Sequence, residues 1–116
     1  MTSKNLPVSM PTALAPPTRI WTDAEWAKIS DGHRSQDMDD KWNVVVDGNW
    51  VHFHRSWTGQ GIYDLRFTQV HGGWQMDEAR VCGDRSWYRR DATDEQERDQ
   101  IERLITYLLI ERRLDR

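Results

Sequence analysis

The stretch Trp42-Asn43-Val44-Val45-Val46-Asp47-Gly48-Asn49-Trp50-Val51-His52-Phe53 puts Trp42, Val44 and Val46 on one face. Apolar alternation resumes at Val51 and Phe53, beyond an Asp-Gly pair. A period of two interrupted by that dipeptide reads as an antiparallel hairpin. Burial then chooses the register. A two-residue turn at Asp47-Gly48 sets Val44 opposite Val51 and Trp42 opposite Phe53, with the apolar side chains together; a three-residue loop sets Val46 opposite Trp50 and scrambles that face. The two-residue turn is expected.

The alternation continues outward. A third strand is predicted over Gly61–Thr68, with Tyr63, Leu65 and Phe67 on one face and Ile62, Asp64 and Arg66 on the other. His71-Gly72-Gly73 is a turn, and a fourth strand over Trp74–Cys82 sets Gln75, Asp77, Ala79 and Val81 against Trp74, Met76, Glu78 and Arg80. Near the carboxy end the period changes. Thr93 and Gln96 form a capping box, and Ile101, Leu104, Ile105, Leu108 and Leu109 follow a helical stripe, so a helix is expected over Asp94–Leu114. Only the Val44, Val51, Phe53, Tyr63, Leu65, Phe67 face is large enough to cover that stripe.

Upstream, Thr22 and Glu25 form another capping box, predicting a short helix from Asp23 to Ser30 that ends near Gly32. Residues 31–40 show no period and read as a solvated acidic loop. Its Asp37, Asp39 and Asp40 lack the glycine and distal glutamate of a calcium site. Residues 1–19 hold all four prolines among small and polar residues, and a flexible tail is expected there. The predicted fold is α+β: a four-stranded antiparallel meander with the long carboxy-terminal helix on one face and a short amino-terminal helix, all within residues 20–116 as a single domain.

Composition narrows the partners. There are 16 Lys plus Arg against 19 Asp plus Glu, a net charge of −3. Residues 91–116 carry 8 acids and 5 bases, whereas 11 of each cancel over residues 1–90. Duplex nucleic acid is disfavoured, because counterion release needs a basic surface. No apolar run is long enough to span a bilayer and no export signal opens the chain, so a cytoplasmic location is expected. Cys82, the only cysteine, forms no internal disulfide and reads as a buried strand thiol rather than a nucleophile. Seven tryptophans form the outlying count in the composition, and such rings serve either a small core or stacking surfaces.

With the helix on one face, the other is expected to expose Val45, Trp50, His52, His54, Ile62, Asp64, Arg66, Trp74, Met76 and Glu78. That mixture suits a partner protein, a second copy of the chain or a ligand, unless the short helix and the 31–40 loop fold over it. His52 and His54 share the geometry of an HxH metal pair. Arg55 beside them repels a cation, so no metal and no cofactor is expected.

Beyond the strand, Arg55-Ser56-Trp57-Thr58-Gly59-Gln60-Gly61 supplies a guanidinium, two hydroxyls, an indole and two glycines able to bare backbone N–H groups. These are the parts of an anion cradle with an aromatic platform. The bland alternative has the hydroxyls capping turns and Arg55 pairing with Asp64 or Asp84. Lys41-Trp42, the Phe53–Gly59 run and the Ile62-Tyr63 pair resemble a small uncharacterised bacterial domain family marked by an FHRSWTG-like strand-loop motif, over about residues 38–110. The resemblance implies that His54, Arg55, Ser56, Trp57 and Thr58 act together, without naming the act.

The residues therefore point to a binding or interaction domain. Its ligand site is expected at His52, His54, Arg55, Ser56, Trp57, Thr58, Gly59 and Arg66, and its ligand is a partner protein or a phosphate-containing, nucleotide-like small molecule. The alternative is a small hydrolase or transferase with His54 as base, Ser56 as nucleophile and Arg55 as anion clamp. A third reading, a single-strand nucleic-acid binder with tryptophan platforms, needs a basic groove that the charge distribution does not suggest.

Overall fold

A computed structural model describes residues 5–89 and 91–112. Among them, seven strands form one sheet: β1 (Leu6–Val8), β2 (Pro11–Leu14), β3 (Ile20–Trp21), β4 (Trp42–Asp47), β5 (Trp50–Arg55), β6 (Gln60–Val70) and β7 (Gly73–Cys82). Strands β4 to β7 are the expected antiparallel meander. The flexible tail expected over residues 1–19 is corrected from Leu6 onward, residues 1–4 lying outside the described ones. β1 pairs with β6 in parallel, while β2 and β3 pair with β7. Pro7 and Pro11 are tolerated because an outer strand needs only one of its two rows of backbone donors.

The hairpin register differs from expectation by two residues. Val44 faces Phe53, Val46 faces Val51 and Asp47 pairs with Trp50, so the turn is Gly48-Asn49. Gly48 has φ 62°, the left-handed conformation that glycine supplies at the first central position of a hairpin turn. Asn49 exchanges bonds with β6, its amide donating to the Phe67 carbonyl at 2.8 Å and its carbonyl accepting from Phe67 N–H at 2.9 Å. A shift of two leaves every side chain on its original face. Val44, Val51, Phe53, Tyr63, Leu65 and Phe67 are buried accordingly.

Two one-residue slips do change faces. Phe53 pairs with Tyr63 but His54 with Gly61, so Ile62 is an extra residue on β6. Arg66 pairs with Glu78 but Phe67 with Met76, so Asp77 is extra on β7. Each is a bulge. As a result Ile62 and Met76, expected on the outer face, belong to the buried core.

Helix α1 (Asp23–Ser30) follows three strands rather than opening the fold, and Thr22 and Glu25 close its capping box. Its Trp26 stacks on Trp74 at 4.5 Å and leans on Phe67 at 5.0 Å, which places α1 on the core side of the sheet. At its end, Arg112 donates to the carbonyls of Gly32 and Lys28 at 2.6 and 2.7 Å. Helix α2 (Asp94–Leu104) starts at the Thr93–Gln96 box and runs into a π-helical stretch, Ile105–Ile110, short of the expected end at Leu114, which lies outside the described residues. All five stripe residues are buried. No helix among the described residues is long and apolar enough to cross a membrane.

Candidate functional site

The loop joining β5 to β6 is held from below by residues 31–40. These were expected to be solvated, yet Asp40 is buried. Its carboxylate bonds His33 Nε2 at 2.7 Å and accepts the Gln36 N–H at 3.0 Å. The Asp40 carbonyl takes the hydroxyls of Ser35 and Ser56 at 3.0 and 2.7 Å, and Trp57 Nε1 donates to the Met38 carbonyl at 3.0 Å. Burying a carboxylate requires such partners, so the acidic segment becomes a base plate for the β5–β6 loop.

On that plate the chain turns at Gly59, where φ is 77°. The backbone donors expected to cradle an anion are spent inside the fold: Ser56 N–H donates to the Lys41 carbonyl, Gly59 N–H to the Arg55 carbonyl and Gln60 N–H to Thr58 Oγ1. Positive charge comes from side chains instead. Trp42 pairs with Arg55 across the hairpin, which brings Lys41 alongside. The Arg55 guanidinium lies 4.7 Å from the Trp42 ring and 5.8 Å from the Tyr88 ring. It therefore stacks on two aromatic faces rather than pairing with Asp64 or Asp84.

These side chains bound a cleft of about 350 Å³ lined by Lys41, Arg55, Trp57, Thr58, Gln60 and Trp87. Trp57 is two-thirds exposed, at 66%. Trp87 enters through a turn in which its N–H and that of Tyr88 donate to the Asp84 carbonyl, each at 2.9 Å. Asp84 is pinned in turn by the hydroxyls of Ser86 and Ser9, and these bonds, that of Ser86 foremost, hold its carboxyl below the usual range. The cleft thus has two indole walls, two cations and two neutral polar groups.

Arg55, Trp57 and Thr58 line this cleft, and Gly59 shapes the loop behind them. Ser56 is committed to Asp40. His52, His54 and Arg66, expected in the same site, do not line this cleft. His54 is buried, its ring packed against the backbone of Gly59 and Leu6; burial pushes its pKa down and its Nδ1 meets no partner among the described residues. His52 Nδ1 bonds Asp64 Oδ1 at 2.6 Å, a contact that raises the imidazole pKa. Arg66 makes two bonds to Asp77, at 3.0 and 3.2 Å.

The outer face, expected to carry a mixture of aromatic, histidine and charged side chains, holds several of them against one another. Trp50 has His52 stacked beside it and the guanidiniums of Arg66 and Arg80 over its ring at 5.6 and 5.0 Å, while Glu78 pairs with both arginines. Of the residues expected there, Trp74 is covered by Trp26 of α1, while the Trp50 cluster satisfies itself by ion pairs and cation–π contacts.

Lys41 and Trp87 were not among the expected site residues, and Gln60 entered only as part of the Arg55–Gly61 loop. The hairpin carried a signal for Lys41, since the corrected register sets Trp42 opposite Arg55. Trp87 sits in a segment without periodicity. Comparison with protein-family models, with curated proteins and with solved structures found no match for the chain.

Proposed function

We propose that the chain is a binding domain for a phosphate-containing, nucleotide-like small molecule, held in the cleft between Trp57 and Trp87. The observation that carries this reading is the pairing of Lys41 and Arg55 with two indole walls in one cleft of about 350 Å³. That volume falls within the roughly 300–1,000 Å³ of ligand pockets. A planar base stacks on an exposed indole, and a phosphate accepts charge-assisted bonds from a guanidinium and an ammonium. Thr58 and Gln60 supply neutral polar groups along the rim.

Binding is favoured over catalysis by where the chemistry lies. His54 does not line the cleft, and the Ser56 hydroxyl donates to Asp40. A general base has to reach the proton it removes, and a nucleophile has to face its substrate.

The test is calorimetric titration of the chain with adenosine monophosphate, beside Trp57→Ala and Lys41→Ala. Both side chains are exposed; Lys41→Ala should keep the parent's thermal unfolding, and Trp57→Ala should lower it only by the loss of the bond to the Met38 carbonyl. Each is expected to weaken binding by about tenfold, the equivalent of one good stacking or charged contact. Parent affinity in both variants would refute the cleft.

A further inference from the structure

The cleft does not end at Arg55. A second cavity of about 340 Å³ lies beyond it, sharing Lys41 and Arg55 as its near wall and closed at the far side by Arg103, Tyr107 and neighbouring residues of the carboxy-terminal helix. Along the two together the order is indole, cation, ring: Trp57 and Trp87 at one end, Lys41 and Arg55 in the middle, Arg103 and Tyr107 at the other. The lining of both cavities contains three cations and no acidic residue. In a chain of net charge −3 that segregation is local. Two further clefts, of about 430 and 400 Å³, both include Asp31. Among the described residues Lys41, Arg55 and Arg103 make no ion pair with an acid.

From this we infer that the site takes two phosphodiester-linked nucleotides in single-stranded form, rather than one mononucleotide. The inference rests on the nucleotide reading of the first cleft and extends it. One base stacks between Trp57 and Trp87, the linking phosphate sits over Lys41 and Arg55, and the second nucleotide reaches the Tyr107 ring, which is 41% exposed, with its phosphate on Arg103. Alternation of rings with cations is what a strand of stacked bases and charged linkages requires. An acidic peptide matches the cations but has no planar group at each step to use the rings.

The experiment is a tryptophan-fluorescence titration of the chain at fixed salt with adenosine monophosphate, with a phosphorylated adenine dinucleotide and with hexaglutamate, on the parent and on Arg103→Ala. Arg103 is exposed on its helix, so the variant folds as the parent does. The dinucleotide is expected to bind at least about tenfold more tightly than the mononucleotide. Arg103→Ala should erase that advantage while leaving the mononucleotide unchanged, and the dinucleotide should show the steeper salt dependence. Equal affinities for the two nucleotides, or a dinucleotide affinity indifferent to Arg103→Ala, would overturn the two-nucleotide site and leave the first cleft standing. Hexaglutamate binding as tightly as the dinucleotide would overturn it too, by showing that charge alone suffices. Failure of both nucleotides would remove the first cleft as well.

Discussion

Tyr63 donates its hydroxyl to Glu97 Oε1 at 2.7 Å, and Tyr88 donates to the same oxygen at 2.6 Å. One buried carboxylate thereby latches the first turn of α2 to the middle of β6 and to the segment that carries Trp87. Burial pushes the Tyr88 phenol up to about 12 and raises that of Tyr63 as well, so both remain donors through the neutral range. The Arg55 guanidinium rests over the Tyr88 ring, so the latch also supports the cleft from behind.

Replacing Glu97 with alanine should cost about 2–4 kcal/mol, because two phenolic donors lose a charged acceptor and Tyr63 is left buried. Tyr63→Phe should cost less, about 1–2 kcal/mol, since Tyr88 still serves the carboxylate. Urea unfolding at neutral pH measures both. A Glu97→Ala variant as stable as the parent would show that the latch carries no weight.

Phe53 and Leu65 are fully buried and belong to the same core cluster as the stripe of the carboxy-terminal helix. Truncating either to alanine removes several methylene groups from a packed site and should cost about 2–5 kcal/mol. Val45→Ala, on the opposite face and exposed, should change stability by less than about 0.5 kcal/mol. Equal costs for Phe53 and Val45 would mean that the sheet is inside out.

Facing was legible in the sequence because it depends only on the parity of the apolar pattern. For the same reason a hairpin placed two residues off left the core assignments intact. Parity fails where an extra residue enters a strand; Gly61 within β6 is the one hint of the first bulge, and nothing in Met76-Asp77-Glu78 announces the second. Strands β1 and β2 were hidden by Pro7 and Pro11, which composition reads as disorder although an outer strand accepts them. The cleft was half legible: Arg55, Trp57 and Thr58 are contiguous in the chain, whereas Lys41 and Trp87 reach it only through the hairpin register and the turn at Asp84. Whole-chain charge concealed the basic groove, because the acids that cancel its cations lie elsewhere.

Gly61 tests the corrected amino terminus. A Cβ built there would stand 2.7 Å from the Leu6 carbonyl oxygen and 2.7 Å from Val8 N. Neither backbone atom can yield without moving β1, so Gly61→Ala should destabilise the fold by about 1–3 kcal/mol. Amide exchange at Leu6, whose N–H donates to the Gly59 carbonyl at 2.7 Å, should accelerate in the same variant. An unchanged exchange rate would mean that residues 6–8 do not rest on the sheet.

The two strand histidines pull stability in opposite directions with pH. Hydrogen bonding to Asp64 raises the His52 pKa, so the folded state holds that proton more tightly than the unfolded chain does. Its contribution is complete below the unfolded value of about 6.5 and is lost as pH rises through the higher folded value. Burial lowers the His54 pKa, so there the unfolded chain binds the proton more tightly. Stability accordingly falls as pH drops from about 6.5 toward the depressed folded value. The parent should show a stability maximum near pH 6.5, read from unfolding free energies across about pH 5 to 8. His52→Gln should flatten the alkaline limb, since it removes the group whose proton is lost on that side, and should soften the acid limb only by the part of the His54 depression that the His52 charge supplies. Asp64→Asn should flatten the same limb by removing the partner while the imidazole stays. A parent alkaline limb preserved in both variants would exclude the His52–Asp64 bond as its origin.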